Sequence, residues 1–209
     1  MTMLKNIETH IHHLSAQFDH ISPERKVLLT ELAGYICGKI KKEESVKLNF
    51  ICTHNSRRSQ MAQIWAQTAA EYYSIKNIEC YSGGTEATEF NPRAVTAVKQ
   101  YGFEVINDSE GPNPVYQVKF SEDTPPVMCF SKIYSDPSNP QKSFAAIMTC
   151  SDADDNCPVV IGAERRFPVR FEDPKKYDGS EKETEKYMER FEQIGREMLF
   201  VMSTAKKLI

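Results

Sequence analysis

The chemistry of this chain is concentrated at Cys52-Thr53-His54-Asn55-Ser56-Arg57-Arg58-Ser59, a cysteine followed after five residues by an arginine and a serine. A cysteine thiolate is a strong nucleophile. An arginine guanidinium holds two oxygens of a tetrahedral anion through its planar fork. Ser56 and Ser59 can donate hydrogen bonds to a thiolate, and Asn55 can brace the loop because asparagine tolerates the left-handed backbone region. Cys52 is therefore read as a nucleophile and Arg58 as the clamp on a phosphate-like oxyanion. Thr53, His54, Asn55, Ser56, Arg57, Arg58 and Ser59 together form the expected oxyanion-binding loop.

A bare C-x5-R pattern recurs by chance, so the flanking elements carry the reading. Val46 to Ile51 is a short β-type run ending at Cys52, and Gln60 to Tyr73 is a long segment apolar on one face. The loop then opens a helix, where unpaired N–H groups and the helix dipole attract an anion and favour the thiolate. A buried strand-end cysteine followed by a basic surface loop is the plainer alternative, and it explains less of this arrangement.

The rest of the chain supplies further elements. Ile7, Ile11, Leu14 and Phe18 recur at helical spacing. Ser22-Pro23-Glu24 looks like a second helix start, with Val27, Leu28, Leu32 and Ile36 as its apolar face. Asn77 to Ser82 reads as a strand ended by Gly83-Gly84. Asn91-Pro92-Arg93 opens a helix to about Tyr101, with Gly102 as its stop signal. Phe144 to Thr149 reads as a strand ending at Cys150, Val169-Arg170-Phe171 as a short strand, and Glu181 to Lys207 as a closing helix. Strands alternating with helices predict an α/β fold with a parallel sheet. Residues 108–142 are rich in Pro, Ser, Asp and Asn, and form a longer connection whose aromatics Tyr116, Phe120, Phe130 and Tyr134 can pack it down.

The chain has 209 residues, 40% hydrophobic and 26% charged, with a net charge of -3. No global basic field recruits nucleic acid, so any anion site is local. The longest apolar runs, such as 144–148, are too short to span a bilayer. The first residues lack the apolar core of a signal peptide, so a cytoplasmic protein is expected. There the six cysteines are expected as thiols, and any disulfide as catalytic. Cys37, Cys80 and Cys129 read as small core residues. His10, His12, His13 and His20 lack partners at ligand spacing, so no metal site is expected.

Taken with Gln60-Met61-Ala62, the Cys52 loop resembles the active-site loop of low-molecular-weight protein tyrosine phosphatases and of the thioredoxin-coupled arsenate reductases that share their fold. Ser82-Gly83-Gly84-Thr85-Glu86, Asn91-Pro92-Arg93-Ala94-Val95 and Asp173-Pro174 are similar to three further segments of that superfamily. The resemblance covers roughly Leu48 to the C-terminus. It implies a three-layer sandwich around a central parallel four-stranded sheet. In this reading residues 1–45 form an N-terminal helical extension, and residues 46–209 the phosphatase-like domain with an inserted segment at about 108–142. It also implies that Asp173 is the general acid protonating a leaving oxygen, ahead of Glu172 and Asp178.

The choice of reaction rests on other cysteines. A phosphatase needs one thiol, whereas a reductase must deliver two electrons. Cys150-Ser151-Asp152-Ala153-Asp154-Asp155-Asn156-Cys157-Pro158 resembles the redox segment of the thioredoxin-coupled reductases. The resemblance implies an arsenate reductase with a Cys52, Cys150, Cys157 relay, no bound cofactor, and thioredoxin as external dithiol donor. A phosphotyrosine phosphatase is the alternative, with Tyr177 available as an aromatic wall. Were the segment helical, Cys150 and Cys157 would stand about 10.5 Å apart along the axis. A disulfide spans only about 4.4–6.8 Å between Cα atoms. The segment must therefore unwind, and its Asp and Asn residues, poor helix formers, make that cheap. Three positions depart from the superfamily pattern: Arg57, His54, and Gln63 where some reductases place a potassium-coordinating glutamate.

Overall fold

Val46–Cys52 (β1) is buried at every position but Lys47, as a central strand covered on both faces must be. In the computed structural model, which describes residues 2–156 and 159–209, β1 pairs in parallel with Ile78–Gly84 (β2) on one side and Phe144–Met148 (β6) on the other. Ala163–Phe167 (β7) adds in parallel to β6, giving the order β2-β1-β6-β7. Cys157 and Pro158 lie outside the described residues.

Side chains alternate across this sheet with period two. Leu48 and Phe50 of β1, with Ala145 and Ile147 of β6, face a large helical core. Ile51 of β1, with Phe144, Ala146 and Met148, faces a smaller cluster that Cys52 joins at the strand end and that Ala153 and Val160 close. Ala153 belongs to Ser151–Asn156 (α5), so helices flank the sheet heavily on one face and thinly on the other.

The heavy layer contains Lys5–Ser15 (α1), Pro23–Ile40 (α2), Arg58–Tyr72 (α3), Pro92–Gln100 (α4) and Glu183–Leu208 (α6). Ser22 caps α2 by accepting from the Arg25 N–H, with Pro23 at the first helical position. Asn91 and Pro92 do the same for α4, and Gly102 follows it at φ 96°, a left-handed stop. Ile7, Ile11 and Leu14 of α1 and Leu29, Leu32 and Ile36 of α2 are fully buried in the same core as Trp65 and Phe191. Trp65 meets Tyr101, Phe103 and Phe191 at ring-centroid distances of 5.3–5.5 Å. A Cβ at Gly195 would come within 2.6 Å of the Trp65 ring, so glycine is what lets α6 approach α3 there.

Three expectations are revised. Val27 is 62% exposed, and Leu29 occupies the buried face of α2 in its place. Val169-Arg170-Phe171 is not a strand. The last strand is the charged stretch Ala163–Phe167, and Pro168, which has no N–H for the ladder, ends it. Residues 108–142 are also more ordered than a packed-down connection. Glu104–Asn107 (β3), Tyr116–Lys119 (β4) and Val127–Cys129 (β5) form a separate antiparallel sheet. The N-terminal arm fastens to it through the Leu4 N–H, which donates to the Phe120 carbonyl at 3.0 Å.

Candidate active site

Cys52 ends β1 opposite Gly84 of β2, so the loop leaves the sheet at its C-terminal edge and turns into α3. Asn55, at φ 46°, makes the turn. Its amide is the hub of the loop. Nδ2 donates to Ser59 Oγ at 2.9 Å, while Oδ1 accepts from the Lys132 N–H at 3.0 Å and from Gln60 Nε2 at 3.3 Å. Ser59 Oγ lies 3.0 Å from Cys52 Sγ. Asn55 already supplies a proton to that oxygen, so the hydroxyl hydrogen of Ser59 is free to point at the sulfur.

The backbone around the loop is equally constrained. Thr85 N–H donates to the Cys52 carbonyl, Glu86 N–H to Thr53, and Asn91 N–H to Ser56. Gly84 sits between them. A Cβ there would fall 2.3 Å from the Glu86 carbonyl oxygen, 2.6 Å from that of Thr53 and 2.8 Å from the Asn55 nitrogen. Gly84 N–H donates to the Lys132 carbonyl and its own carbonyl accepts from Tyr134 N–H, so the strand cannot retreat. Ser131 Oγ donates to the His54 carbonyl at 2.8 Å, and Gln60 Nε2 to the Phe130 carbonyl at 2.8 Å. Ser131 and Lys132 were missed in the sequence and Gln60 was given no role there, because buried hydrogen bonding to a loop leaves no pattern in residue spacing. Burial depresses the Lys132 ammonium below its ordinary range, although its Nζ lies 4.2 Å from the Phe130 ring centroid.

Arg58 is 8% exposed and opens α3. Its Nη2 donates to Asp173 Oδ2 at 2.7 Å, its Nη1 to the Phe171 carbonyl at 3.0 Å, and its Nε is buried without a partner. Asp173 thus reaches Arg58 directly. It also caps the turn Pro174–Tyr177 by accepting from the Lys175 N–H. The 170–173 segment is braced from α2, where Arg25 donates to the Arg170 carbonyl and lies over the Phe171 ring while pairing with buried Glu197. Helix α2 therefore touches the backbone that carries Asp173.

The remaining expected residues divide. Thr53 and Cys150 come together, with Oγ1 and Sγ 3.5 Å apart, and Cys150 is fully buried beside Cys52 in the smaller cluster. Ala153 N–H donates to Cys150 Sγ at 3.4 Å. Ser56 is buried, and His54 is half-exposed 3.5 Å from Glu86. The Arg57 guanidinium is committed to the Tyr187 hydroxyl at 2.8 Å and lies 3.6 Å from Asp178, outside the loop. Glu172 pairs with Lys176 on the surface. Gln63 Nε2 donates to the Cys80 and Met128 carbonyls and its Oε1 accepts from Ser82, a fully engaged neutral amide.

Cys37, Cys80 and Cys129 are buried thiols. Burial pushes Cys129 up to about 12 and raises Cys80 as well, which leaves both inert as nucleophiles. Among the described residues no three His, Cys, Asp or Glu side chains converge as a metal site, and no helix is long and apolar enough to cross a membrane.

A family model described as low molecular weight phosphotyrosine protein phosphatase matches residues 47–208. The chain is 30% identical over 164 residues to an arsenate reductase of Bacillus subtilis, a match covering 78% of this chain and 99% of that protein. It is 31% identical over 142 residues to an arsenate reductase of Bacillus licheniformis, covering 68% of this chain and 83% of that one. Its fold is similar to a crystal structure of a low molecular weight protein tyrosine phosphatase from T. tengcongensis. There the TM-score is 0.51 and the identity 18%, with 76% of this chain and 99% of that chain covered.

Proposed function

Because the chain belongs to the low molecular weight phosphotyrosine protein phosphatase family, we propose that it is an arsenate reductase using Cys52, Cys150 and Cys157 as a thiol relay. The observation that carries the choice is the position of Cys150. A hydrolase has no use for a second thiol, yet Cys150 is buried 3.5 Å from the hydroxyl of the residue next to Cys52. The relatives named arsenate reductase support the same reading.

In this mechanism the oxyanion enters the Cys52 loop and takes over the Arg58 fork, displacing the Asp173 carboxylate now held there. Asp173, freed from the fork, supplies the proton for the departing oxygen. Cys52 thiolate, hydrogen-bonded by Ser59, forms the sulfur–arsenic bond as water leaves. Cys150 thiolate then attacks Cys52 Sγ. The sulfur–arsenic bond breaks, its electron pair stays with arsenic as arsenite, and a Cys52–Cys150 disulfide remains. Cys157 attacks Cys150, frees Cys52, and the Cys150–Cys157 disulfide is reduced by thioredoxin, which is oxidised in turn. Electrons balance: two leave the thiols and two arrive on arsenic.

A paired assay tests the reading: arsenate-dependent NADPH oxidation with thioredoxin and thioredoxin reductase, beside aryl phosphate hydrolysis. Cys150→Ser is expected to abolish the first and spare weak hydrolysis. Cys157→Ser is expected to stop after one turnover. Fast hydrolysis with no arsenate-dependent oxidation in the unmodified protein would establish the phosphatase instead.

A further inference from the structure

Cys150 has to reach Cys52, yet it is fully buried, and α5 is part of what covers it. A six-residue helix of Asp, Ala, Ser and Asn has little propensity to hold itself together. What holds it is visible at Asp154. That side chain is 1% exposed, and its carboxylate is gripped by both Arg166 of β7 and Arg170 of the segment leading to Asp173. Arg166 also donates to the Asp154 backbone carbonyl, and Asp154 N–H closes the first turn on the Cys150 carbonyl. A carboxylate this buried is tolerated only when paired, so the two guanidiniums fix α5 where it lies.

The second grip has a further connection. Arg170 is three residues before Asp173, and the same short segment is held by Arg58 through the Phe171 carbonyl and the Asp173 carboxylate. An anion in the Arg58 fork competes for both contacts. We infer that Asp154, Arg166 and Arg170 form a latch that keeps Cys150 covered, and that oxyanion binding at Arg58 loosens it through the 170–173 segment. The latch positions a thiol and touches no substrate. It rests on the relay reading for its purpose, since opening α5 on oxyanion entry would bring Cys150 forward only when the Cys52 adduct can form.

The test is the rate at which iodoacetamide alkylates Cys150 in the full-length protein, resolved by peptide fragmentation, with no arsenate or thioredoxin present. Asp154→Asn keeps the shape and removes the charge. It is expected to speed Cys150 alkylation at least about tenfold, the scale of a local opening, while buried Cys37, Cys80 and Cys129 keep their wild-type rates. Those three thiols separate a latch from general unfolding, which would expose all of them. Inorganic phosphate is expected to speed Cys150 alkylation in the wild type and to add nothing in Asp154→Asn.

Should Asp154→Asn not fold, Arg170→Gln at a half-exposed position takes its place, and Arg170→Lys, which keeps the charge, restores slow alkylation. Unchanged Cys150 reactivity in a folded variant overturns the latch, and an absent phosphate effect in the wild type overturns its coupling to Arg58. Neither outcome touches the reductase reading, which the coupled assay decides separately.

Discussion

Gly84→Ala is a substitution of one methyl group whose effect can be worked out from distances. The added carbon would stand 2.6 Å from the Thr53 carbonyl oxygen and 2.8 Å from the Asn55 nitrogen, where ordinary contact begins at 3.4 Å. Thr53 and Asn55 must therefore retreat by about 0.8 and 0.6 Å, since β2 is pinned at Gly84 by hydrogen bonds on both its N–H and its carbonyl. These are the residues that follow Cys52 and orient Ser59. Misplacing a reacting group by about 1 Å lowers rate by roughly a hundredfold. Overpacking costs about 1–3 kcal/mol, a fall in Tm of roughly 2–12 °C for a chain of this length. The expected outcome is a folded protein with a lowered Tm and kcat/KM for arsenate reduction down about a hundredfold. Activity within threefold of wild type at an unchanged Tm would refute the close approach of β2 to the loop.

Asn55→Ala removes the acceptor of the buried Lys132 N–H and the donor that orients Ser59. A loss of about 1–3 kcal/mol in urea unfolding, with slower Cys52 alkylation, is expected; a loss under about 0.5 kcal/mol would remove Asn55 from its place as hub. Lys132→Met should stabilise the protein near neutral pH, because the buried ammonium has no ion-pair partner in hydrogen-bonding reach among the described residues. Its folded pKa lies below the ordinary 10.5, so the unfolded chain holds more protons between those values. Wild-type stability then climbs as pH rises through that window, and is lowest below the folded value. Urea midpoints at several pH values should show this climb in the wild type and a smaller one in Lys132→Met. Gly195→Ala, against the Trp65 ring, should lower stability by about 1–3 kcal/mol in the same assay without changing the arsenate KM.

The site was readable where local rules act alone. The run Val46 to Ile51, the Asn-Pro and Ser-Pro helix starts and the Gly102 stop each announce themselves within a few residues. Asp173 was singled out only by family resemblance, and no spacing rule gives its contact with Arg58 across 115 residues. The second sheet was hidden because its strands are three or four residues long and bury few positions, as in Tyr116–Lys119. The last strand was misplaced by a similar cause. Ala163–Phe167 is an edge strand with two arginines in sequence, and the Arg165 guanidinium lies over the Phe167 ring, so part of that ring's cover comes from a side chain that a hydrophobic pattern counts as polar. Asp154 shows the converse limit. Its composition argued for easy unwinding, and only the structure reveals two arginines, 12 and 16 residues away, that oppose it.

The strand order β2-β1-β6-β7 also dictates how the protein is made. Leu48 is paired with Ala145, 97 residues later in the chain. At a synthesis rate of roughly 5–20 residues per second, β1 leaves the ribosome about 5–20 s before its second neighbour exists. In that interval β2 and α3 can cover one edge and one face of β1, and the other edge stands open with Leu48, Phe50 and Ile51 beside it. The strand that ends at Cys52 is thus the first strand to emerge and among the last to be enclosed, which makes it the natural place for a nascent chain to be held by a chaperone or lost to aggregation.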